Sequence, residues 1–294
     1  MDISIIIVSY NGREHLRRCL ASLQAYEPTA ESEVIVVDND SRDGSADVVA
    51  SEFPDVRLER IPRNLGFAAG ANRGAREATG EAIVLLNPDT EIEADPFAPM
   101  LTYLREHPNV GIVAPRLLNP DGSLQLSCRS FPSFSTALFN RYSLLTRLFP
   151  RNRYSKQYLL SDWRHDSIRE VDWLSGACLM VRRSLFEQIG LLDEGYFMYI
   201  EDVDLCQRVH RAGYKVVYLP QVSVVHHIGQ SSRTLASRSI LARHRSMWHY
   251  YKKYLRKNVL MDFGIGLGIC ARCGYLLTAN QVKRLVPSRA KSGD

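Results

Sequence analysis

The chain has 294 residues, 45% hydrophobic and 23% charged, the balance of a globular protein with room for one large α/β domain and an appendage. That balance excludes a disordered or collagen-like chain. The formal charge is +5, and the surplus is concentrated. Residues 233–257 hold Arg233, Arg238, Arg243, Arg245, Lys252, Lys253, Arg256 and Lys257 with no Asp or Glu among them, which points to an anionic partner.

Residues 3–10 form an apolar run that stops at Asn11-Gly12, and Leu16, Cys19, Leu20 and Leu23 then recur at helical spacing. The same alternation continues: strand 34–37, helix 44–53, strand 56–61, helix 68–78, strand 82–86, helix 95–106 and strand 110–114. Strands and helices alternating at this spacing predict an α/β fold with a mostly parallel sheet covered on both faces. Residues 130–168 lose the periodicity and read as loops and short helices facing a substrate. Order returns in a strand-like run over 171–182, a helical turn capped by Ser184, a helix from Glu201, and two short strands around Pro220 within 216–226.

Residues 239–254 read as a basic, aromatic helix. Residues 259–279 are apolar apart from Asp262 and Arg272 and carry four glycines. The length would cross a bilayer, but the two charges and the glycines favour a helix pair lying at an anionic membrane surface. A helix packed on the globular body is the competing reading. The division is a domain over 1–235, donor-binding in 1–115 and acceptor-facing in 116–235, with a helical extension over 236–294.

The six cysteines are scattered, and the first ten residues lack the basic flank and cleavage site of a secretory signal. Both features predict a reducing, cytoplasmic setting. Cys270 and Cys273 have the spacing of a redox pair or half a zinc site; with no second pair, buried thiols are the expectation.

Chemistry gathers where acids follow apolar runs: in 34–45, in 85–89 and in 199–204. Carboxylates brought to the carboxyl edge of a parallel sheet require a metal, a nucleotide or a proton to offset their charge. The segments IIIVSYNG, VVDNDSRDG, RNLGFAAGANRG, LLNPD, WLSGACLMVRR, MYIEDVDLCQR and VSVVHHIGQS resemble, in order and spacing, the inverting family 2 glycosyltransferases with a GT-A fold, nearest the rhamnosyltransferase-type bacterial members. The resemblance covers residues 3–255. It implies transfer of a sugar, such as L-rhamnose from dTDP-rhamnose, from a dTDP- or UDP-sugar donor to a glycan or polyprenyl-linked glycan. The basic C-terminal region would keep the protein in the cytoplasm, peripheral on the inner membrane face, and no nucleic-acid partner is expected.

Residue by residue, Asp38 resembles the acid that accepts the imide N–H of uracil or thymine, a role suited to a group that only accepts. Capping the next helix is its alternative, and Asp40 or Ser41 can do that equally. Val8 and Tyr10 would form the pyrimidine wall. Asn64, Gly66, Gly70, Asn72 and Gly74 belong to a loop entering a helix, where backbone N–H groups favour a diphosphate; the glycine spacing is neither a Walker loop nor a dinucleotide fingerprint. Asn87-Pro88-Asp89 resembles the DXD motif with its first acid replaced, leaving Asp89 to hold Mn²⁺ or Mg²⁺. His226 resembles a late metal-ligating histidine, with His227 an alternative.

Glu201-Asp202 resembles the acidic pair whose second member is the general base for the acceptor hydroxyl. Acids are also common in a first helical turn, and Asp204 fits that plainer role. Trp173 and Gly176 resemble the segment at the donor–acceptor junction. Two rivals stand beside this reading: a sugar-nucleotide-binding scaffold without turnover, encouraged by Asn87, and a nucleotidyltransferase, disfavoured because no Gly-rich loop with a basic residue follows the first strand.

Overall fold

The computed structural model describes residues 1–26, 29–133, 153–227 and 236–285. Its sheet begins with four parallel strands in the order β3 (Arg57–Ile61), β2 (Ser32–Asn39), β1 (Ile3–Ser9) and β4 (Ala82–Leu86). It continues through the antiparallel β11 (Cys178–Arg182) to β6 (Val110–Leu118) and β12 (Lys215–His226), which pair in parallel, and ends at β5 (Thr90–Glu91). Short strands β7 (Leu124–Gln125) and β9 (Arg169–Glu170) attach to β6 and β12, while β8 (Cys128–Arg129) and β10 (Trp173–Leu174) make a separate ribbon. The expected α/β fold, a large sheet flanked by helices, is what forms.

Helices α1 (Arg13–Ala25), α2 (Ser45–Glu52) and α4 (Phe97–Glu106) cover one face. Their apolar stripes, such as Leu16, Cys19, Leu20 and Leu23 on α1, pack on Ile5, Ile7, Val36 and Val84. Helices α3 (Phe67–Glu77) and α7 (Glu201–Arg211) cover the other, against Ile6, Val37, Leu85 and Leu179. Both faces of the central strands are therefore buried, which is why these strands read as continuous apolar runs. Short helices α5 (Arg153–Leu159) and α6 (Arg183–Gln188) complete this body.

Several local expectations change. The run over 171–182 is broken at Ser175-Gly176 into β10 and β11, because the chain turns there to meet α7. Residues 216–226 form one strand rather than two; its register with β6 slips between Leu219 and Ser223, which accommodates Pro220, a residue without an N–H for the ladder. Ser184 lies inside α6 and caps nothing. Much of the 130–168 segment (134–152), and Arg233, lie outside the described residues.

Helix α8 (Ala236–Tyr250) runs into a π-helical turn (Tyr251–Leu255), and α9 (Val259–Leu285) returns alongside it. The extension is fastened to the α/β body. Ser246 Oγ donates to Met198 O at 2.9 Å, Tyr254 OH donates to Asp204 at 2.7 Å, and Lys253 pairs with Asp193 and Asp204. Four cysteines (19, 128, 178, 206) are buried, but Cys270 is exposed and Cys273 half-exposed, against the expectation of buried thiols: among the described residues α9 packs chiefly on α8, and its outer side has nothing to bury against.

Candidate active site

Parallel pairing fixes what meets at the sheet edge. Ser9 is in register with Asp38, and Ile7 with both Val36 and Leu86, so Tyr10, Asp38 and Asn87 leave the ends of three adjacent strands. Asp38 is 4% exposed. Its Oδ2 accepts the Ser41 N–H at 3.1 Å, while Oδ1 is buried with no protein partner. An unmatched buried acceptor costs stability unless a donor arrives, and an imide N–H is such a donor. The neighbouring Ser9 Oγ is buried and unmatched too. Tyr10 is half-exposed at the edge. Val8 lies deeper, against α3, where a Cβ added to Gly70 would come within 2.9 Å of its side chain.

The loop before α3 is fixed by side chains on both flanks. Asn39 Nδ2 donates to Gly66 O, and Asn39 Oδ1 accepts the Leu65 N–H; Asn64 Oδ1 accepts the Gly66 N–H. Gly66 has φ +88°, and a Cβ there would collide with Phe197 O, so the left-handed backbone and the close approach both require glycine. Asn72 faces elsewhere. Its amide is engaged by Leu192 N–H, Leu192 O and Glu194, and it lines a cavity of about 390 Å³ with Arg76, Arg208 and Lys253 that none of the other predicted site residues touches.

Asp89, 6% exposed, and His226 meet at 3.3 Å between Oδ1 and Nε2. The tautomer follows from Gln125. Its Nε2 donates to Leu118 O and to His226 O, so its Oε1 faces His226 Nδ1 at 3.0 Å and accepts that N–H. Nε2 then faces the Asp89 carboxylate. With Nε2 unprotonated the pair presents two acceptors to one cation, and with Nε2 protonated it is an ion pair. Among the described residues no third His, Cys, Asp or Glu joins them, so further ligands would come from diphosphate and water. Asn87 binds the sheet through its backbone: its N–H donates to Ala177 O at 2.9 Å, and its own O accepts from Thr90 Oγ1. His227 pairs with Glu91.

Asp202 is held by that same stretch of chain. One residue before Ala177, the Gly176 N–H donates to Asp202 Oδ2 at 3.0 Å, and the Val203 N–H donates to Oδ1 at 2.8 Å. Burial raises the Asp202 carboxyl, while the two N–H groups and the Arg129 charge act to lower it. Glu201 has only its own backbone N–H in support: burial and the adjacent Asp202 push it up to about 8, and its Oε2 is buried without a partner. The pair follows Tyr199 and Ile200, both at φ near +70°, an unusual conformation for a β-branched residue and a mark of local strain beside a site.

Trp173 is 8% exposed, with Nε1 donating to Ser130 O. The Arg129 guanidinium lies 5.7 Å from its ring and 5.9 Å from that of Tyr158, within cation–π range. Asp204 takes the plainer part expected of it: it is fully buried and bonded to Arg208, Lys253 and Tyr254. Sequence reasoning missed Asn39, Gln125 and Arg129. Only Asn39, adjacent to Asp38, carried a signal, as a polar residue ending an apolar strand.

The model of "Glycosyl transferase family 2" matches residues 4–190. The chain is 34% identical over 257 residues to the N-acetylglucosaminyl-diphospho-decaprenol L-rhamnosyltransferase of Mycobacterium tuberculosis, covering 84% of this chain and 82% of that protein. It is 26% identical over 271 residues to rhamnosyltransferase WbbL of Escherichia coli K12, covering 88% and 95%. A solved structure, mannosyltransferase PcManGT from Pyrobaculum calidifontis in complex with GDP-Man and Mn²⁺, shares the fold with a TM-score of 0.57 at 18% identity, over 99% of this chain and 76% of that one. Because the family's pattern runs through β1, β2, β4 and β11, whose ends carry the residues just described, the chain belongs to glycosyl transferase family 2 and is a glycosyltransferase.

Proposed function

We propose that the protein transfers L-rhamnose, with inversion, from dTDP-rhamnose to a hydroxyl of a lipid-linked glycan in cell-wall or surface-polysaccharide assembly, at the cytoplasmic face of the membrane. The two rhamnosyltransferase relatives support the sugar, and the acceptor named for the mycobacterial one supports the lipid-linked diphosphate. The observation that carries the reading is Asp202. It is a half-buried carboxylate anchored by two N–H groups, placed one residue from the chain that holds the Asn87–Asp89 loop.

In this mechanism Asp38 Oδ1 accepts the imide N–H of the pyrimidine, and Tyr10 at the strand end bounds the base. The Asn64–Gly66 loop brings the start of α3, the positive end of a helix dipole, toward the diphosphate. Asp89 and His226 would hold a divalent cation, Mn²⁺ or Mg²⁺, which when bound neutralises diphosphate charge. Asp202 takes the proton of the acceptor hydroxyl as its oxygen attacks the anomeric carbon, from the face opposite the leaving nucleotide. Glu201 holds a proton and leaves Asp202 as the charged member of the pair. Trp173 and Gly176 flank the junction between the two substrates.

The test is a thermal shift against dTDP-, UDP- and GDP-sugars with and without Mn²⁺ or Mg²⁺, since a native-state ligand raises Tm. It is followed by transfer to a water-soluble N-acetylglucosaminyl diphosphate acceptor, with the product anomer read by NMR. A metal-dependent shift with dTDP-rhamnose and an inverted product are expected. Binding without transfer or hydrolysis would instead identify a sugar-nucleotide-binding scaffold.

A further inference from the structure

The 24 residues Val259–Val282 of α9 have the length to cross a bilayer, and an 18-residue window within them has a mean hydropathy of 1.4. Their packing argues for a different disposition. Between 259 and 282 the only charges are Asp262 and Arg272, and both turn inward. Asp262 takes Tyr251 OH at 3.0 Å and Arg256 at 2.9 Å, and Arg272 donates to Met247 Sδ on α8. Every exposed side chain in this stretch is uncharged. Leu260 (82% exposed), Phe263 (72%), Leu267 and Tyr275 (73%) follow one another on a continuous outer stripe at helical spacing.

Helix α8 lies antiparallel along the inner side. Trp248 sits against Gly266, Met247 against Arg272, and Ser237 bonds Asn280. A spanning α9 would carry α8 into hydrocarbon together with its exposed Arg238 and Arg245, a costly burial of charge. Laid flat, α9 keeps the stripe in the acyl boundary and α8 on the wet side. Lys252, Arg256 and Lys257, just ahead of Leu260, then stand at the height of lipid headgroups.

We infer that the outer stripe of α9 is a docking face for an anionic lipid bilayer, entered by the helix lying in the plane of the interface and not crossing it. The inference deepens the lipid-linked acceptor reading and rests on it for its purpose. It also bears on the site: Ser246 on α8 binds Met198 O, and Arg243 lies 4.4 Å from the Tyr199 ring, three residues before Asp202. A membrane-seated α8–α9 pair would therefore hold the segment leading into the base close to the surface where a polyprenyl acceptor resides.

The experiment uses the full chain with phosphatidylcholine vesicles, with and without phosphatidylglycerol, read by flotation. Environment-sensitive labels at Leu260→Cys, at native Cys270 and at Val282→Cys, each as the single reactive thiol of α9, report depth by quenching from lipids brominated at different positions. Flotation only with phosphatidylglycerol, and one shallow depth for all three labels, are expected. A deep middle label between two shallow ends would show a spanning helix and overturn the inference. So would equal flotation on neutral vesicles, or a soluble dimer that buries the stripe and does not float. Replacing two stripe residues (Phe263→Glu with Leu267→Glu) should weaken vesicle partition at least tenfold, from the loss of two buried apolar side chains. Transfer to the water-soluble acceptor should be unchanged in that variant. If the native chain floats as expected but transfers nothing, the assigned reaction fails while the docking face stands.

Discussion

The Gly176 N–H donates to Asp202 Oδ2 at 3.0 Å, and a Cβ built on Gly176 would stand 3.3 Å from the Asp202 Cβ. The turn between β10 and β11 is thus both the support of Asp202, the proposed base, and too close to it for a side chain. Gly176→Ala should displace Asp202 by a few tenths of an ångström and lower kcat by about 10- to 100-fold, as small misplacements of a reacting group do, while Tm stays near the native value. Normal kcat in a folded Gly176→Ala protein would show that this contact does not position the base.

Asp202 and Asp204 lie two residues apart on α7 and should fail in opposite ways. Asp202→Asn keeps an oxygen for the Gly176 N–H but cannot take a proton; transfer should fall by about 10²- to 10⁴-fold with donor affinity nearly unchanged. Asp204 is fully buried against Arg208, Lys253 and Tyr254. Asp204→Ala strands those cations and should cost about 3–5 kcal/mol of stability, read by denaturant unfolding. Loss of donor binding in Asp202→Asn would remove Asp202 from the base role.

That contrast shows what the sequence could and could not carry. The strands were legible because each is a β-branched or apolar run buried on both faces, and Asp38, Asp89 and Asp202 were legible because each ends or follows such a run or opens a helix. Family resemblance, not periodicity, separated Asp202 from Asp204, since both occupy a first helical turn. Asn72 and Val8 look like their neighbours in the sequence, yet Asn72 is taken by Leu192 and Glu194 and Val8 by the close approach of α3. Those partners are set by tertiary contact, some more than a hundred residues away. The inward turn of Asp262 and Arg272 was hidden for the same reason: a helix's charges can be counted in a sequence, but which side faces a neighbour depends on that neighbour.

Gln125 is distant from His226 in sequence, but it fixes the imidazole through Nδ1 and grips its backbone carbonyl. Partners that orient a metal-bound histidine typically contribute 10- to 100-fold to metal affinity. Gln125→Leu should therefore raise the Mn²⁺ concentration needed for half-maximal dTDP-sugar binding by roughly that factor, with metal-free folding retained. Calorimetric titration of Mn²⁺ in the presence of donor reads it directly. An unchanged metal requirement would take His226 out of the cation site.

Glu201 gives a stability signature with a defined sign. Burial, with the adjacent Asp202, pushes its carboxyl up to about 8 in the folded chain, whereas an unfolded glutamate titrates near 4.3. Between those values the folded protein holds a proton that the unfolded chain has released, so this group's contribution to stability is greatest below about 4.3 and declines as pH rises toward 8. Glu201→Gln carries the neutral form at every pH. Its Tm relative to the native chain should rise steadily across that window and level off above it. A difference in Tm independent of pH would mean that Glu201 is charged in the folded protein. In that case Asp202 would share its negative charge with a neighbour, and the division of labour that keeps Glu201 protonated so that Asp202 can accept the acceptor's proton would not hold.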